Sequence, residues 1–395
     1  MRKKSFDVIL LFILVIARVR IDTLVDALVA PRPLETVQRI FGWLLSENSL
    51  RLLEDWMTDP VSLLLITITF GLLIIYLVVD VCHLARQKEY HLKRALIWLI
   101  VLSTVLAQTC FLILMRHQTG PASFTHDGGV IQTEETIKYI LAGKNPYVED
   151  YVDTPMAEWG LEYRTALYHY PYLPWTFIFS APFSLLSHLF LGWYDQRFVY
   201  LLLFIIMLAL APRLTDNRLA VLGLTMTLGL NPIMGNDIIY GQNDSFVLFW
   251  VVWGVYFLRY GHRTLSVVAF GLACASKPTA WFLAPFYLLY LLGREESSLK
   301  VKVGTLLPQI LPGVAVFVLL VLPFALWNLD AMVDDIWRWS SGTADVPYQI
   351  RGWGFANLIL ALGLVESRLS YFPFWLFELL FGLPLLLFLL WRQVK

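Results

Sequence analysis

Long apolar segments constrain this chain more than any other feature of its sequence. Hydrophobic residues make up 58% of its 395 residues, whereas charged residues make up only 15%. A helix needs about 20 apolar residues to cross the hydrocarbon core of a bilayer, which is about 30 Å thick. The candidate segments are 6–20, 60–82, 94–115, 173–190, 198–211, 219–235, 244–258, 264–293, 304–327, 355–366 and 371–391. The sequence therefore predicts an all-α, polytopic integral membrane protein with about 10–11 membrane segments.

Basic residues predict how the chain is oriented in the membrane, because cytoplasmic loops carry an excess of Lys and Arg. Such residues cluster at 2–4, 86–94, 259–263, 294–302 and 392–395. Both termini are then expected in the cytoplasm, and the loops 116–172 and 328–370 on the external face. The first apolar segment lacks a small-residue cleavage site and is expected to remain as an anchor. The formal net charge is zero, which gives no indication of nucleic-acid binding.

A polar segment that begins at His126 follows directly after one of the apolar segments. Residues 121–170 hold eight carboxylates, interleaved with tyrosine and tryptophan. Carboxylates accept hydrogen bonds from sugar hydroxyls, and aromatic rings can cover the apolar face of a sugar. Asp127 is the main catalytic candidate, because Gly128 and Gly129 allow close approach of a ligand. A carboxylate at this position can act as a general base on a hydroxyl. Several of the other carboxylates are interpreted as a solvated acidic surface.

Proline and glycine divide the neighbouring segments. Residues 130–142 form a predicted amphipathic helix that ends at Gly143. Segment 173–190 is interrupted by prolines, and we interpret it as a re-entrant or interfacial helix. Segment 264–293 is broken at Lys277 and the proline after it, which predicts a helical hairpin with Lys277 near its tip. An intramembrane lysine either serves a functional site or extends its amine to the membrane interface.

Further polar residues adjoin predicted membrane segments. Asn243 or Asp244 is expected to cap the helix that follows, whereas Gln242 is a better candidate for contact with sugar hydroxyls. Arg351 either binds a phosphate with both arms of its guanidinium or forms a structural salt bridge. His169 lies among the aromatic residues of a predicted interfacial belt. It is also a candidate contact for a phosphate or a hydroxyl.

No ligand spacing in the sequence points to a metal. The pairing of His126 with Asp127 is too weak a pattern by itself. The three cysteines, Cys82, Cys110 and Cys274, lie in apolar segments without metal or redox spacing. They are expected to be buried small side chains. The sequence therefore predicts neither a metal nor a cofactor.

Several motifs follow one another in an order that resembles the GT-C glycosyltransferases. They are Asp127 after a span, Ala142-Gly143-Lys144-Asn145-Pro146-Tyr147, the return at Tyr170–Pro174, Asn231-Pro232 with Gly241-Gln242-Asn243, and Ser276-Lys277-Pro278. The chain most resembles the bacterial polyprenol-phosphate-mannose-dependent transferases of glycosyltransferase family 87. The resemblance covers roughly residues 94–295. Residues 1–93 are then extra N-terminal spans, and 94–395 a GT-C-like catalytic domain. The family's return motif is usually Tyr-Pro-Pro, whereas here two residues separate the prolines.

The resemblance implies a hexosyltransferase in a prokaryotic cell membrane. It would move a mannose-like sugar from a polyprenyl-phosphate donor to a lipid or glycan acceptor on the external face. The reaction would invert the anomeric configuration, with Asp127 as general base. The leaving phosphate needs cationic stabilisation, for which the candidates are Lys277, Arg351 and Arg164. The candidates for binding the sugar or acceptor are His126, Glu134, Tyr170, Gln242 and Asn243. Membrane lipid, donor and acceptor are the expected partners.

Other kinds of protein also fit the composition. A polymerase or ligase of lipid-linked glycans has large external loops, usually with more Arg and His. A transporter or lipid flippase is expected to carry paired intramembrane charges and repeat symmetry, and the sequence shows neither clearly. A structural membrane subunit leaves Asp127 and Lys277 without a role.

Overall fold

The regular structure of the described residues is entirely helical. The computed structural model describes residues 6–29, 39, 42–43, 60–82, 84–159, 164–292, 299–350 and 354–394. In chain order the α-helices of five or more described residues are α1 (Phe6–Val29), α2 (Pro60–Val81), α3 (Arg86–Val101), α4 (Ala107–Thr119), α5 (Gln132–Leu141), α6 (Trp175–Leu191), α7 (Arg197–Leu210), α8 (Arg218–Leu230), α9 (Pro232–Tyr240), α10 (Asp244–Arg259), α11 (Arg263–Cys274), α12 (Ala284–Leu292), α13 (Leu299–Trp327), α14 (Leu329–Val333), α15 (Phe355–Ala361) and α16 (Phe374–Val394). The all-α prediction is confirmed for these ranges.

Four helical stretches in the described ranges are long and apolar enough to cross a membrane. They are Val61–Val81, Arg86–Thr119, Leu306–Trp327 and Phe374–Arg392, and the bent pair α8–α9 would make a fifth. These stretches are consistent with a membrane protein. Several other predicted segments form shorter apolar helices, such as α6 and α11. The described structure therefore has fewer full-length spans than the predicted 10–11 membrane segments.

The predicted break in segment 264–293 is confirmed. Helix α11 ends at Cys274, and a 3₁₀ segment, Pro278–Leu283, precedes α12. The two helices lie side by side, because the Ser266 and Tyr287 hydroxyls are 2.7 Å apart and the rings of Phe270 and Tyr287 stack at 4.4 Å. The predicted helical hairpin is therefore present.

Segment 219–235 is not one continuous helix, in contrast to its apolar pattern. It bends at Asn231, between α8 and α9. The residue before a proline is disfavoured in the helical conformation, and Asn231 is followed by Pro232. The Asn231 side chain accepts hydrogen bonds from the N–H groups of Ile233 and Met234. It thus caps a new helix after ending the previous one.

The chain divides into two compact units. Unit 1 contains residues 1–134, 158–160 and 184–249, and unit 2 contains residues 135–157, 161–183 and 250–395. The boundary expected after residue 93 lies inside α3, within unit 1.

A buried cluster of charges joins the first helices of unit 1. Lys93 of α3 donates to Asp7 of α1 at 2.7 Å and also contacts Asp80 of α2. Tyr76 donates to Asp7 at 2.9 Å, and Glu89 lies 3.2 Å from the Lys93 amine. A buried amine is stable only when it is paired and hydrogen-bonded. This cluster therefore fixes three helices against one another.

The expectation that all three cysteines are buried is wrong for Cys82 and Cys110, which are exposed, while Cys274 is half-buried. An apolar helix in a membrane protein can turn one face to lipid, so an apolar sequence context does not by itself predict burial.

In unit 2, α11 and α13 cross at two glycines. A β-carbon on Gly271 would lie 2.5 Å from the carbonyl oxygen of Gly313, and one on Gly313 would overlap the backbone of Val267. Small residues at such crossings let helix backbones approach closely. The crossing therefore has no room for a side chain at either glycine.

We expect Gly313→Leu to separate α11 from α13 and to destabilise the protein by about 1–3 kcal/mol, the usual cost of overpacking. Gly304→Leu, on the same helix, is the matched control, because its added β-carbon would meet no atom within 4 Å. Thermal unfolding in detergent measures both variants. Equal losses of stability would contradict the close crossing.

Candidate functional site

Two arginines and two carboxylates form a buried network in unit 1. Arg116 donates to both carboxylate oxygens of Glu134, at 2.8 and 2.7 Å, and to Asp195 at 2.9 Å. Arg197 donates to the two oxygens of Asp195 at 2.9 and 2.8 Å. The formal charges balance, and paired donors of this kind form strong, directional hydrogen bonds.

The network determines the protonation of Asp195 and the contacts of Glu134. Burial opposes ionisation of Asp195, but the guanidinium groups of Arg197 and Arg116 hold its pKa well below the usual range. One Glu134 oxygen also accepts from the backbone N–H of Gln196 at 2.9 Å. Because both Glu134 oxygens already accept hydrogen bonds, its position favours a structural role over the predicted contact with sugar.

Arg197 also connects two backbone segments that are distant in sequence. Its guanidinium donates to the carbonyl oxygens of Phe124 and Ile239, at 2.8 and 2.9 Å. Close to these contacts, the N–H of His126 donates to the carbonyl of Tyr240 at 2.7 Å. The segment before Asp127 is thereby held against the end of α9.

Two glycines allow these segments to touch backbone to backbone. A methyl group on Gly129 would overlap the carbonyl oxygen of Gly241, and one on Gly241 would overlap Val130. Gly241 has a φ of 81°, in the left-handed region that favours glycine. The π-helical turn that begins at Asp127 therefore lies against the turn at Gly241 and Gln242. These are two of the polar segments singled out in the sequence.

Aromatic and polar groups surround this contact. The half-buried His126 ring lies 5.1 Å from the ring of Trp159, whose indole N–H donates to the Thr125 carbonyl at 2.9 Å. Asn243 is buried, and its backbone carbonyl accepts a hydrogen bond from the backbone N–H of Phe246, which lies in the first turn of α10. Helix α10 thus begins where the sequence predicts. Gln242 is half-buried.

A second pair of motifs meets in unit 2. The N–H groups of Leu173 and Trp175 donate to the carbonyls of Ser276 and Ala275, at 2.9 and 3.0 Å. The return segment therefore lies along the break after α11. At this break the half-buried Lys277 holds its amine 5.6 Å from the centre of the Tyr172 ring, which is within the range of a cation–π contact.

His169 contacts two consecutive carboxylates in unit 2. Its Nδ1 lies 2.9 Å from Asp335 and 3.6 Å from Asp334. The other Asp335 oxygen accepts from the Tyr170 N–H at 2.9 Å. Burial raises the pKa of Asp335 to about 6, although the hydrogen bonds from His169 and Tyr170 oppose the rise. The sequence did not predict this group, because its members are about 165 residues apart.

The remaining predicted residues have different surroundings. The Tyr170 ring is buried and packs near Tyr147, Tyr151 and Phe177. This position favours a role in the core of unit 2. Arg164 is exposed and donates to the carbonyl of Ala157 at 2.7 Å. Arg351 lies outside the described residues.

Comparison with known protein families, curated proteins and solved structures finds no match to this chain.

We expect Asp195→Asn to destabilise the protein by about 3–5 kcal/mol, because it leaves two buried guanidinium groups with a single carboxylate. Asp153→Asn is the control for loss of one carboxylate at an exposed position, where changes stay within about 0.5 kcal/mol. Thermal unfolding of both purified variants measures the difference. A stable, wild-type-like Asp195→Asn would contradict the role given to the network.

We expect Gly241→Ala to be more damaging than Gly143→Ala. Both glycines have positive φ, so each substitution costs about 1–2 kcal/mol of backbone strain. Only the β-carbon at Gly241 would also overlap neighbouring atoms, whereas Gly143 has open space around it. Overlap adds about 1–3 kcal/mol. Unfolding midpoints that fall by the same amount would argue against the glycine contact.

Proposed function

We propose that this chain is a GT-C-type membrane glycosyltransferase. It transfers a mannose-like hexose from a polyprenyl-phosphate donor to a lipid or glycan acceptor on the external face. One observation carries the proposal, namely the packing of the Asp127 turn against the turn at Gly241 and Gln242. This packing sets the backbone of the segment that contains Asp127 against the backbone of the segment that contains Gln242 and Asn243. Amide side chains such as those of Gln242 and Asn243 are suited to reading sugar hydroxyls.

The proposed reaction gives Asp127 the role of general base. The acceptor oxygen forms a bond to the anomeric carbon while the bond from that carbon to the donor phosphate breaks. The proton of the acceptor hydroxyl moves to Asp127, and polyprenyl phosphate leaves with the bonding electrons. Attack from the side opposite the phosphate inverts the anomeric configuration. His126, Gln242 and Asn243 are the proposed contacts for the sugar and acceptor.

Two features of unit 2 support a lipid-phosphate substrate. The first is Lys277, a half-buried amine at an irregular backbone segment of unit 2, which is suited to binding a phosphate. The second is an apolar groove of about 390 Å³ between α11, α12 and α13, lined by residues such as Phe270, Trp281 and Phe317. An isoprenoid chain matches a groove of this apolar character. Arg351 and Arg164 are retained as further candidates for phosphate.

A transporter is the second candidate function, and one observation favours it. Lys93 pairs with Asp7 and Asp80 inside unit 1, and paired charges among membrane helices are a feature of transporters. However, Asp7 lies in the first turn of α1 and Asp80 in the last turn of α2. Charges at helix ends are suited to holding helices together, so this cluster has a structural explanation. The transferase is therefore the better-supported proposal.

We expect Asp127→Asn to lower sugar transfer by at least about 100-fold, because general base catalysis contributes about 10²–10⁴-fold. The measurement uses membranes that contain the full chain, a radiolabelled polyprenyl-phosphate-mannose donor, and a glucose donor alongside. Asp153→Asn, an exposed carboxylate change in the same polar segment, is expected to retain activity.

Equal transfer by wild type and Asp127→Asn would remove Asp127 from the mechanism. If the wild type transfers neither sugar but moves a fluorescent lipid-linked sugar across vesicle membranes, the transporter function replaces the proposed one.

A further inference from the structure

His169, Asp334 and Asp335 bring three metal-ligating side chains together in unit 2. One atom from each lies within 4.8 Å of the others. His169 and Asp335 are buried, whereas the Asp334 side chain is 33% exposed. The group is therefore enclosed on the side of His169 and Asp335 and open toward Asp334.

Two of the three distances between these atoms fall near those around a bound metal ion. Ligand atoms with bonds of about 2.1 Å stand about 3.0 Å apart in an octahedron and about 3.4 Å apart in a tetrahedron. The His169 Nδ1 lies 2.9 Å from Asp335 and 3.6 Å from Asp334. Both distances from the imidazole nitrogen are thus close to the spacing of ligand atoms around an ion.

Neighbouring groups hold the ligands in position. The His169 ring stacks on the buried ring of Trp339, with centroids 5.5 Å apart, and the Tyr170 N–H orients Asp335. Outer contacts of this kind fix the orientation of metal ligands. Both aspartates belong to a π-helical segment, Asp334–Arg338, and single π turns inside helices are frequent at functional sites.

The charge of the group also favours a cation. Burying a carboxylate is costly unless it is paired or coordinates a metal. Asp335 has the imidazole of His169 as its partner, and Asp334 has Arg338 at 3.4 Å. A divalent ion would offset the two negative charges more completely than these contacts do.

We propose that His169, Asp334 and Asp335 form a binding site for a divalent transition-metal ion. One imidazole nitrogen and two carboxylates suit Mn²⁺ or Zn²⁺. On binding, the ion replaces the proton at Nδ1, which moves to Nε2 or is released to solvent. Water occupies the remaining coordination positions on the open side. The proposal departs from the absence of a metal predicted from the sequence, and it does not depend on the proposed sugar transfer.

The test measures Mn²⁺ binding to the purified full chain after treatment with a chelator. Electron paramagnetic resonance follows free Mn²⁺, and the nitrogen hyperfine signal of the bound ion reports a histidine ligand. Calorimetry with Zn²⁺ gives a second affinity. We expect saturable binding with a nitrogen signal, weakened at least about tenfold in His169→Ala, Asp334→Asn and Asp335→Asn.

His91→Ala and Asp153→Asn are the controls, because both side chains are exposed. They should bind the ion as the wild type does. Asp334→Asn changes the most exposed ligand, so it keeps the test valid if the variants at the buried ligands do not fold. Absence of wild-type binding, or unchanged binding in a folded Asp334→Asn variant, would overturn the proposal.

Discussion

The buried network of Arg116, Glu134, Asp195 and Arg197 is the interaction on which the rest of unit 1 depends. Charges removed from water are stable only when geometry and hydrogen bonding compensate for their lost solvation. Here each carboxylate accepts several hydrogen bonds, and two further guanidinium N–H groups of Arg197 donate to backbone carbonyls. The requirement to satisfy these charges therefore fixes the course of the loop that leads to Asp127.

This dependence links the fold to the candidate site. The contacts of Arg197 with Phe124 and Ile239 bring the two segments together, and the glycines at 129 and 241 allow their backbones to meet. A side chain at either glycine would keep them apart. The role proposed for Asp127 thus depends on Arg197 and on these two glycines, which position the backbone around it.

Local signals made much of the helical structure predictable. Apolar length predicted the spans in α2 and α13, and the sequence around Gly143 predicted the end of α5, where φ of that glycine is 74°. The break at Lys277 followed from the proline after it. In contrast, the bend at Asn231 was missed, since the apolar pattern continues through it although a proline follows.

The candidate site was less predictable, because its contacts join residues far apart in sequence. Arg116 and Asp195 are 79 residues apart, so nothing local marks them as partners. The partners of Glu134 are likewise not marked by local sequence. Glu134 was therefore predicted to contact sugar, although both its oxygens accept hydrogen bonds inside unit 1. His169 and Asp335 are separated still further. Glycines next to polar residues, as at 128–129 and 241–242, were the useful signal, because they mark places where backbones can approach.

The most direct test of the proposed sugar site is to locate the bound donor. A polyprenyl-phosphate-mannose analogue with a photoreactive sugar would be crosslinked to the full chain in membranes, and the labelled peptides mapped by mass spectrometry. We expect adducts in both the 126–131 and the 240–243 segments, suppressed by excess unlabelled donor. Specific adducts confined to other segments would contradict the assignment of the sugar site to the contact between these turns.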